Sequence, residues 1–206
     1  DLAPSDVDHS VDLLRRHAEE CIGFYVFVMS SDSPVDLAGR LVAAGFELRQ
    51  GLVSMGSTVG PDDDGLDICA VVEPHDRRAV AGFMARQFFS RMPREARESI
   101  AAATAASPHE IWALGGPSEP DAAVMLTERP GSLGLFNLCV APERRRAGLG
   151  SRVVRWVQSR ARISNRPVVL QCEPDLVPWY EALEFEAVGS VDAYTLAAVS
   201  GGDILV

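Results

Sequence analysis

The stretch that decides the fold reads Leu138-Cys139-Val140-Ala141-Pro142-Glu143-Arg144-Arg145-Arg146-Ala147-Gly148-Leu149-Gly150-Ser151. An apolar strand ends at Val140, Pro142 stops the ladder for want of an N–H, and a loop with two glycines opens into an amphipathic helix. The first amides of a helix lack internal partners and the helix dipole adds positive charge there, so such a loop suits an anion. Dipole terms are only about 0.3–1 kcal/mol per charge, so binding needs several amides converging with Arg145 or Arg146. Taken alone, a glycine pair reads rather as a tight turn at a helix N-terminus with solvated arginines beside it. A Walker loop is excluded by the missing Lys and the spacing, and a dinucleotide fingerprint lacks its third glycine.

Downstream, Leu149, Val153, Trp156, Val157 and Ala161 share one side of a helix running to Arg162, while Arg152, Arg155, Ser159 and Arg162 fall elsewhere. Pro167 to Cys172 then reads as a buried strand, Asp175 to Leu183 as a helix, and Glu186 to Leu196 as a long strand or strand pair. Upstream, strands are predicted at Glu110 to Leu114, Ala122 to Thr127 and Leu133 to Val140. Helices open at Pro74, with Val80, Phe83, Met84 and Phe88 as a core-facing stripe, and at Pro93, and a strand spans Leu66 to Val72. Before residue 60 the pattern is helix (Val11 to Glu20), strand (Ile22 to Met29), helix (Pro34 to Ala44) and strand (Glu47 to Met55). Strands alternating with helices imply an α/β fold with a mixed sheet.

The 206 residues carry 29 acidic and 19 basic side chains, a formal charge of −10. That balance argues against a partner held by bulk electrostatics, so neither nucleic acid nor an anionic membrane is expected. The charge is uneven: −8 over residues 1–65, −2 over 66–140 and zero over 141–206. All 19 basic residues are Arg, which excludes a Schiff base or a catalytic lysine. Gly60-Pro61-Asp62-Asp63-Asp64-Gly65 reads as a surface linker. Cys21, Cys69, Cys139 and Cys172 sit singly in apolar runs and are expected to be buried, reduced thiols in a cytoplasmic protein, with no metal site. No early run is long enough to span a bilayer, and a chain opening on Asp1 is expected to be a trimmed or mature form.

These residues resemble the GNAT superfamily of acyl-CoA-dependent N-acyltransferases. Arg145-Arg146-Ala147-Gly148-Leu149-Gly150 fits that family's Arg/Gln-x-x-Gly-x-Gly/Ala pyrophosphate loop, after a strand ending Leu138-x-Val140-x-Pro142. Trp179-Tyr180-Glu181-Ala182-Leu183-Glu184-Phe185 resembles its Tyr-Glu-x-Leu-Gly-Phe segment, with Glu184 in place of glycine, which predicts a differently capped helix end. The match covers residues 66–206, a complete domain. The resemblance implies a mixed, mostly antiparallel twisted sheet with helices on both faces and a splayed central strand pair that binds acyl-CoA. Acetyl-CoA would be the co-substrate. The backbone of Leu138, Cys139 and Val140 would pair with pantetheine, and the amides of Arg145, Arg146, Ala147, Gly148, Leu149, Gly150 and Ser151 would hold the pyrophosphate.

An alkyl amine is about one part in 2,500 neutral at pH 7, a deficit of about 4.6 kcal/mol, so a base or proton path is required. The departing thiolate needs an acid, and the resemblance assigns that role to Tyr180. Relatives often carry a carboxylate on the strand ending at Val140, but Leu135, Phe136 and Asn137 offer none. Glu173 is the leading candidate for a base acting through water, and Glu128 the second. The family's acceptor wall maps onto Phe88, Phe89, Trp112 and Tyr194, with Arg91 and Met92 nearby; each is also an ordinary core or surface residue.

Residues 1–60 form an N-terminal α/β segment. Residues 24–55 resemble 167–194 in order, with Ala44-Gly45-Phe46 facing Leu183-Glu184-Phe185, and Leu41 in the place of Tyr180. The segment thus resembles a degenerate half domain; two unrelated units with coincidental Gly-Phe endings are the alternative. The leading function is acetyl transfer to a primary amine of a small molecule, peptide or protein, in a chain compatible with a homodimer. A CoA-binding sensor or scaffold without turnover is the second, and nucleic-acid binding through Arg144 to Arg162 the third.

Overall fold

In the computed structural model, which describes residues 4–21, 24–58, 60–61 and 65–196, the element order follows the hydrophobic pattern closely. It runs α1 (Pro4–Glu20), β1 (Val26–Met29), α2 (Leu37–Ala43), β2 (Phe46–Ser57), β3 (Ile68–Ala70), α3 (Pro74–Phe88), α4 (Arg94–Ala106), β4 (Glu110–Gly116), β5 (Glu119–Arg129) and β6 (Ser132–Val140). After a single 3-10 turn at Pro142–Arg144 come α5 (Leu149–Ile163), β7 (Val168–Cys172), a second 3-10 turn, α6 (Val177–Glu181) and β8 (Glu186–Leu196). The first helix begins at Pro4 rather than Val11, and the last strand is single. Ile22, Gly23 and Asp62 to Asp64, parts of the expected first strand and linker, lie outside the described residues.

The described chain divides into two compact units of non-contiguous sequence. The larger takes residues 56–170 and 179–186, the smaller the described residues of 1–55, 171–178 and 187–205.

In the larger unit the strand order is β7-β6-β5-β4-β3. The pairs β3 with β4, β4 with β5 and β5 with β6 are antiparallel and β6 with β7 is parallel, giving the mixed, mostly antiparallel arrangement expected. Both faces are covered, by alternation along the strands. Ile111 and Ala113 of β4, with Ala123 and Cys139, pack against Val80, Phe83 and Met84 of α3. The intervening Trp112 turns the other way and stacks on Trp156 of α5, ring centroids 4.9 Å apart, with the Arg160 guanidinium 4.7 Å above its ring. Helix α5 buries Val153, Val154, Trp156, Val157 and Ala161 as its spacing predicts. Two polar residues join them. Ser159, expected off this side, is buried and donates Oγ to the Trp156 carbonyl, and the Gln158 amide donates to Ser57 Oγ at 3.1 Å and to the Leu183 carbonyl at 2.7 Å.

In the smaller unit β8 lies between β1 and β2. Its pairing with β1 is antiparallel, from Val26↔Tyr194 to Met29↔Val191. The core joins Val7, Val11 and Ala18 of α1 to Leu41, Phe46, Tyr194 and Leu196.

The cysteine expectation needs correction. All four are free thiols, but Cys21 and Cys69 are exposed, and Cys139 and Cys172 alone are buried. Cys69 belongs to a three-residue strand at the end of the β7-to-β3 order, where apolar sequence does not guarantee cover. Burial pushes the Cys139 thiol up to about 12, against smaller opposing effects of a bond from Ala123 and the charge of Arg145. Burial and the neighbouring Glu173 charge also raise Cys172, whose thiol donates to the Met55 sulfur at 3.5 Å. The thiolate is the nucleophile. Iodoacetamide near pH 8 is therefore expected to label Cys21 and Cys69 within minutes and Cys139 and Cys172 only on unfolding; mass spectrometry of the labelled peptides checks the order.

Candidate functional site

Strand β6 shapes the site. It pairs in parallel with β7 at Leu133↔Val168 and Gly134↔Val169, at the start of both strands. Against β5 the register shifts: Met125 faces Phe136 but Ala123 faces Cys139, so Asn137 and Leu138 stand opposite Val124 alone. This bulge, with Asn137 at φ 51°, bends the strand.

Beyond Val140 the chain makes its 3-10 turn and passes Arg146 at φ 64° and Gly148 at φ 75° before α5 begins. Arg146 is an unfavourable occupant of the left-handed region, by roughly 1 kcal/mol, whereas Gly148 is suited to it. The first backbone bond of α5 runs from the Arg152 N–H to the Gly148 carbonyl, and no side chain caps the helix. The Leu149, Gly150 and Ser151 amides thus form the unpartnered first turn, beside an exposed loop.

The three arginines act differently. Arg144 grips Asp121 through two bonds of 2.8 Å, which holds that carboxyl below its usual range. Arg145 donates to the Val140 carbonyl at 3.0 Å and to Gln87 at 2.9 Å. Arg146 is exposed. Of the residues named for the loop, Cys139 is turned into the α3-side core, while Leu138, Val140, Leu149, Gly150 and Ser151 are half-buried.

Helix α6 meets this loop through Trp179, whose Nε1 donates to Ser151 Oγ at 3.3 Å and whose ring lies where a Gly150 side chain would begin, 3.5 Å away. Tyr180, next in sequence, is buried at 6% exposure, edge-on to Trp179 and Phe185 at 4.6 and 5.5 Å. The helix end that carries it is not capped in a new way, contrary to expectation. The Phe185 N–H bonds to the Tyr180 carbonyl and the Glu184 N–H to that of Glu181, which is the Schellman pattern, with Glu184 itself at φ 65°.

The other named residues separate. Glu173 is exposed at the start of the second 3-10 turn, in the smaller unit. Glu128 is tied to Arg166 at 3.3 Å and Arg160 at 3.6 Å. Phe88 is half-buried against the α3 core and Phe89 ends that helix. Trp112 lies on the opposite face with its Nε1 donating to Glu110, and Tyr194 is in the smaller unit's core. The larger unit therefore does not bring Phe88 and Trp112 together on one wall. Sequence reading passed over His109, whose Nδ1 lies 3.0 Å from Thr127 Oγ1. A lone histidine before a strand carries no motif that marks it. Among the described residues no group of His, Cys, Asp or Glu could hold a metal ion, and no helix is long and apolar enough to cross a membrane.

No protein-family model and no curated protein matches the sequence. Solved structures do match. A GCN5-related N-acetyltransferase from Kribbella flavida aligns with a TM-score of 0.69 at 16% identity, over 98% of this chain and 78% of that one. The fold is that of the GNAT acetyltransferases. A GNAT-family acetyltransferase from Colwellia psychrerythraea gives 0.59 at 12% identity, covering 95% of this chain and 75% of that one. A tandem GNAT protein from the clavulanic acid biosynthesis pathway gives 0.63 at 14%, covering 95% and 69%. Among the described residues the eight strands and six helices include the strand, loop and helix that the opening motif specified.

Glu184→Gly is expected to relieve the left-handed strain and stabilise the chain by about 0.5–1 kcal/mol, a rise of roughly 1–4 °C in Tm by calorimetry.

Proposed function

We propose that the chain transfers an acetyl group from acetyl-CoA to a primary amine. The observation that carries this reading is the uncapped first turn of α5, set by Gly148 in the loop after the bulged strand, with Trp179 seated beside it and Tyr180 packed on Trp179. Three free amides, an exposed glycine turn and Arg146 suit a pyrophosphate. The backbone of Leu138 and Val140, past the bulge, would pair with the pantetheine amides. Acetyl-CoA supplies the acyl group as a thioester with a good leaving thiolate. Tyr180 would give the departing sulfur its proton.

Because the cradle is mostly main chain, its geometry outweighs its side chains. A β-branched residue cannot hold φ 75° without strain, so Gly148→Val is expected to weaken CoA binding at least tenfold by calorimetry, while Arg146→Ala costs less than fivefold. Tyr180→Phe is expected to lower kcat by about 10²–10⁴ with acetyl-CoA affinity unchanged. Turnover at the original rate would remove Tyr180 from the mechanism. CoA binding without thiol release across an amine panel would support the sensor reading instead.

We also infer that the N-terminal segment is a degenerate half domain. Its supports are local. Gly45 at φ 93° follows α2 as Glu184 follows α6, the Gly45 N–H bonds to the Val42 carbonyl as the Glu184 N–H does to Glu181, and each is followed by a buried phenylalanine, Phe46 and Phe185. Its place in the fold is to hold β8 between β1 and β2. Deleting residues 1–60 removes both neighbours, so the remainder is expected to be insoluble; a soluble, equally active fragment would refute that.

A further inference from the structure

Strand β6 offers no carboxylate at Leu135, Phe136 or Asn137, and Glu128 is engaged by two arginines. The proton lost by the amine needs another acceptor. A cavity of about 270 Å³ lies in the larger unit, lined by His109, Met125, Thr127, Gly134, Phe136 and Val169, with Arg129 and Ser132 beside them. Gly134 and Val169 are also a register pair of β6 with β7, so the cavity lies at the fork where these strands begin to part. The Phe136 ring lies over Gly134, where a side chain would meet it at 2.6 Å.

The cavity holds one imidazole, that of His109, whose ring nitrogens can accept and donate a proton. Its Nδ1 is 3.0 Å from Thr127 Oγ1. The charged groups around it are known. Arg129 of β5 lines the same cavity and, as a guanidinium, keeps its proton; Arg77 of α3 donates to the His109 carbonyl at 3.1 Å; and Glu110, next in sequence, faces Trp112 and Arg160 on the other side of the sheet.

We propose that His109 is the base that receives the amine's proton and that Thr127 positions its ring, an inference that rests on the acetyl-transfer reading above. When Thr127 Oγ1 accepts from Nδ1–H, the lone pair is on Nε2. As the C–N bond forms, the nitrogen's proton passes to Nε2 of His109. The C–S bond breaks and the sulfur takes the Tyr180 proton. Both side chains then return to their starting forms by exchange with water, so one amine and one thioester yield one amide and one thiol. Met125, Phe136 and Val169 form an apolar wall suited to an amine on a short apolar stem, whether free or as a lysine side chain.

The test uses the full chain and thiol release from acetyl-CoA with isopentylamine, 2-phenylethylamine and a lysine-containing peptide; which arm turns over identifies the source of the amine. With the best acceptor, His109→Gln is expected to lower kcat/KM about 10²–10⁴-fold with acetyl-CoA affinity within twofold. Below neutrality the slope of log kcat/KM against pH is expected to fall from two to one, because the variant requires only the free amine. His109→Asn, a second variant should the first misfold, gives the same slope. Thr127→Val is expected to cost about 10–100-fold and keep the slope of two. A His109→Gln chain with unchanged rate and slope overturns the proposal and leaves acetyl transfer standing, as does loss of one proton from the slope in Glu173→Gln instead. Acetyl-CoA binding with no thiol release from any of the three amines overturns both readings.

Discussion

Strand β6 must serve two neighbours of opposite sense, antiparallel β5 on one side and parallel β7 on the other, and the larger unit is arranged around that demand. The two ladders space their hydrogen bonds differently. Two register pairs with β7 satisfy the parallel ladder at the start of the strand, and the bulge opposite Val124 then bends β6 while its pairing with β5 resumes at Ala123 and Ala122. Among the described residues no β6–β7 register pair follows Gly134↔Val169, which leaves a row of backbone donors and acceptors on that edge of β6, its Val140 carbonyl met by Arg145. In the acetyl-transfer reading that row recognises pantetheine, the bend leads the chain to the α5 cradle, and the fork opens onto the His109 cavity. One irregularity thus locates all three.

The residues in left-handed conformation divide by what replaces the strain. Gly148 carries none, which suits a turn that has to be regular for three amides to converge. Asn137 tolerates its position because its short side chain can bond locally, and a bulge needs one such residue. Arg146 and Glu184 have no such allowance. Glu184 sits in a helix stop whose two backbone bonds are made regardless of side chain, and the Gln158 amide holds the adjacent Leu183 carbonyl from inside the core. That buried anchor makes the stop robust to losing its glycine.

Much of this was legible because prolines and glycines punctuate the chain at element ends. Pro74 and the Pro142 to Gly148 run located α3 and α5 within a residue or two, and the stripe of Val80, Phe83 and Met84 identified the buried side of α3. The face that Trp112 takes was not legible for a physical reason: β4 is covered on both faces, so its alternation does not say which face a residue takes, and Trp156 and Arg160 on α5 reveal it. Gln158 was hidden because a single amide among apolar residues reads as surface, although two partners in the core satisfy it. The bulge has no signature at all in single-sequence patterning, and His109 acquires meaning only from the fork beside it. Local chemistry was readable from order; the meeting of strands was not.

The arginine run shows how sequence charge and structural charge differ. Arg144, Arg145 and Arg146 look like one basic patch, yet the first neutralises Asp121 on β5 and the second fastens the loop to the Val140 carbonyl and Gln87. Two of three cations therefore fix the loop's shape, and Arg146, exposed like them, stands in the same loop before α5. A site built this way recognises phosphate through oriented amides, which salt screens weakly, more than through mobile charge, which it screens strongly. In the acetyl-transfer reading, a chain of net charge −10 would present its phosphate site in this way. The acidic surplus, concentrated in the first 65 residues, leaves a long-range field that favours cations, the ordinary state of an amine in water. In the acetyl-transfer reading the field and the cradle would select opposite charges by different means, long-range attraction for the acceptor and short-range geometry for the donor, and neither requires the other to weaken.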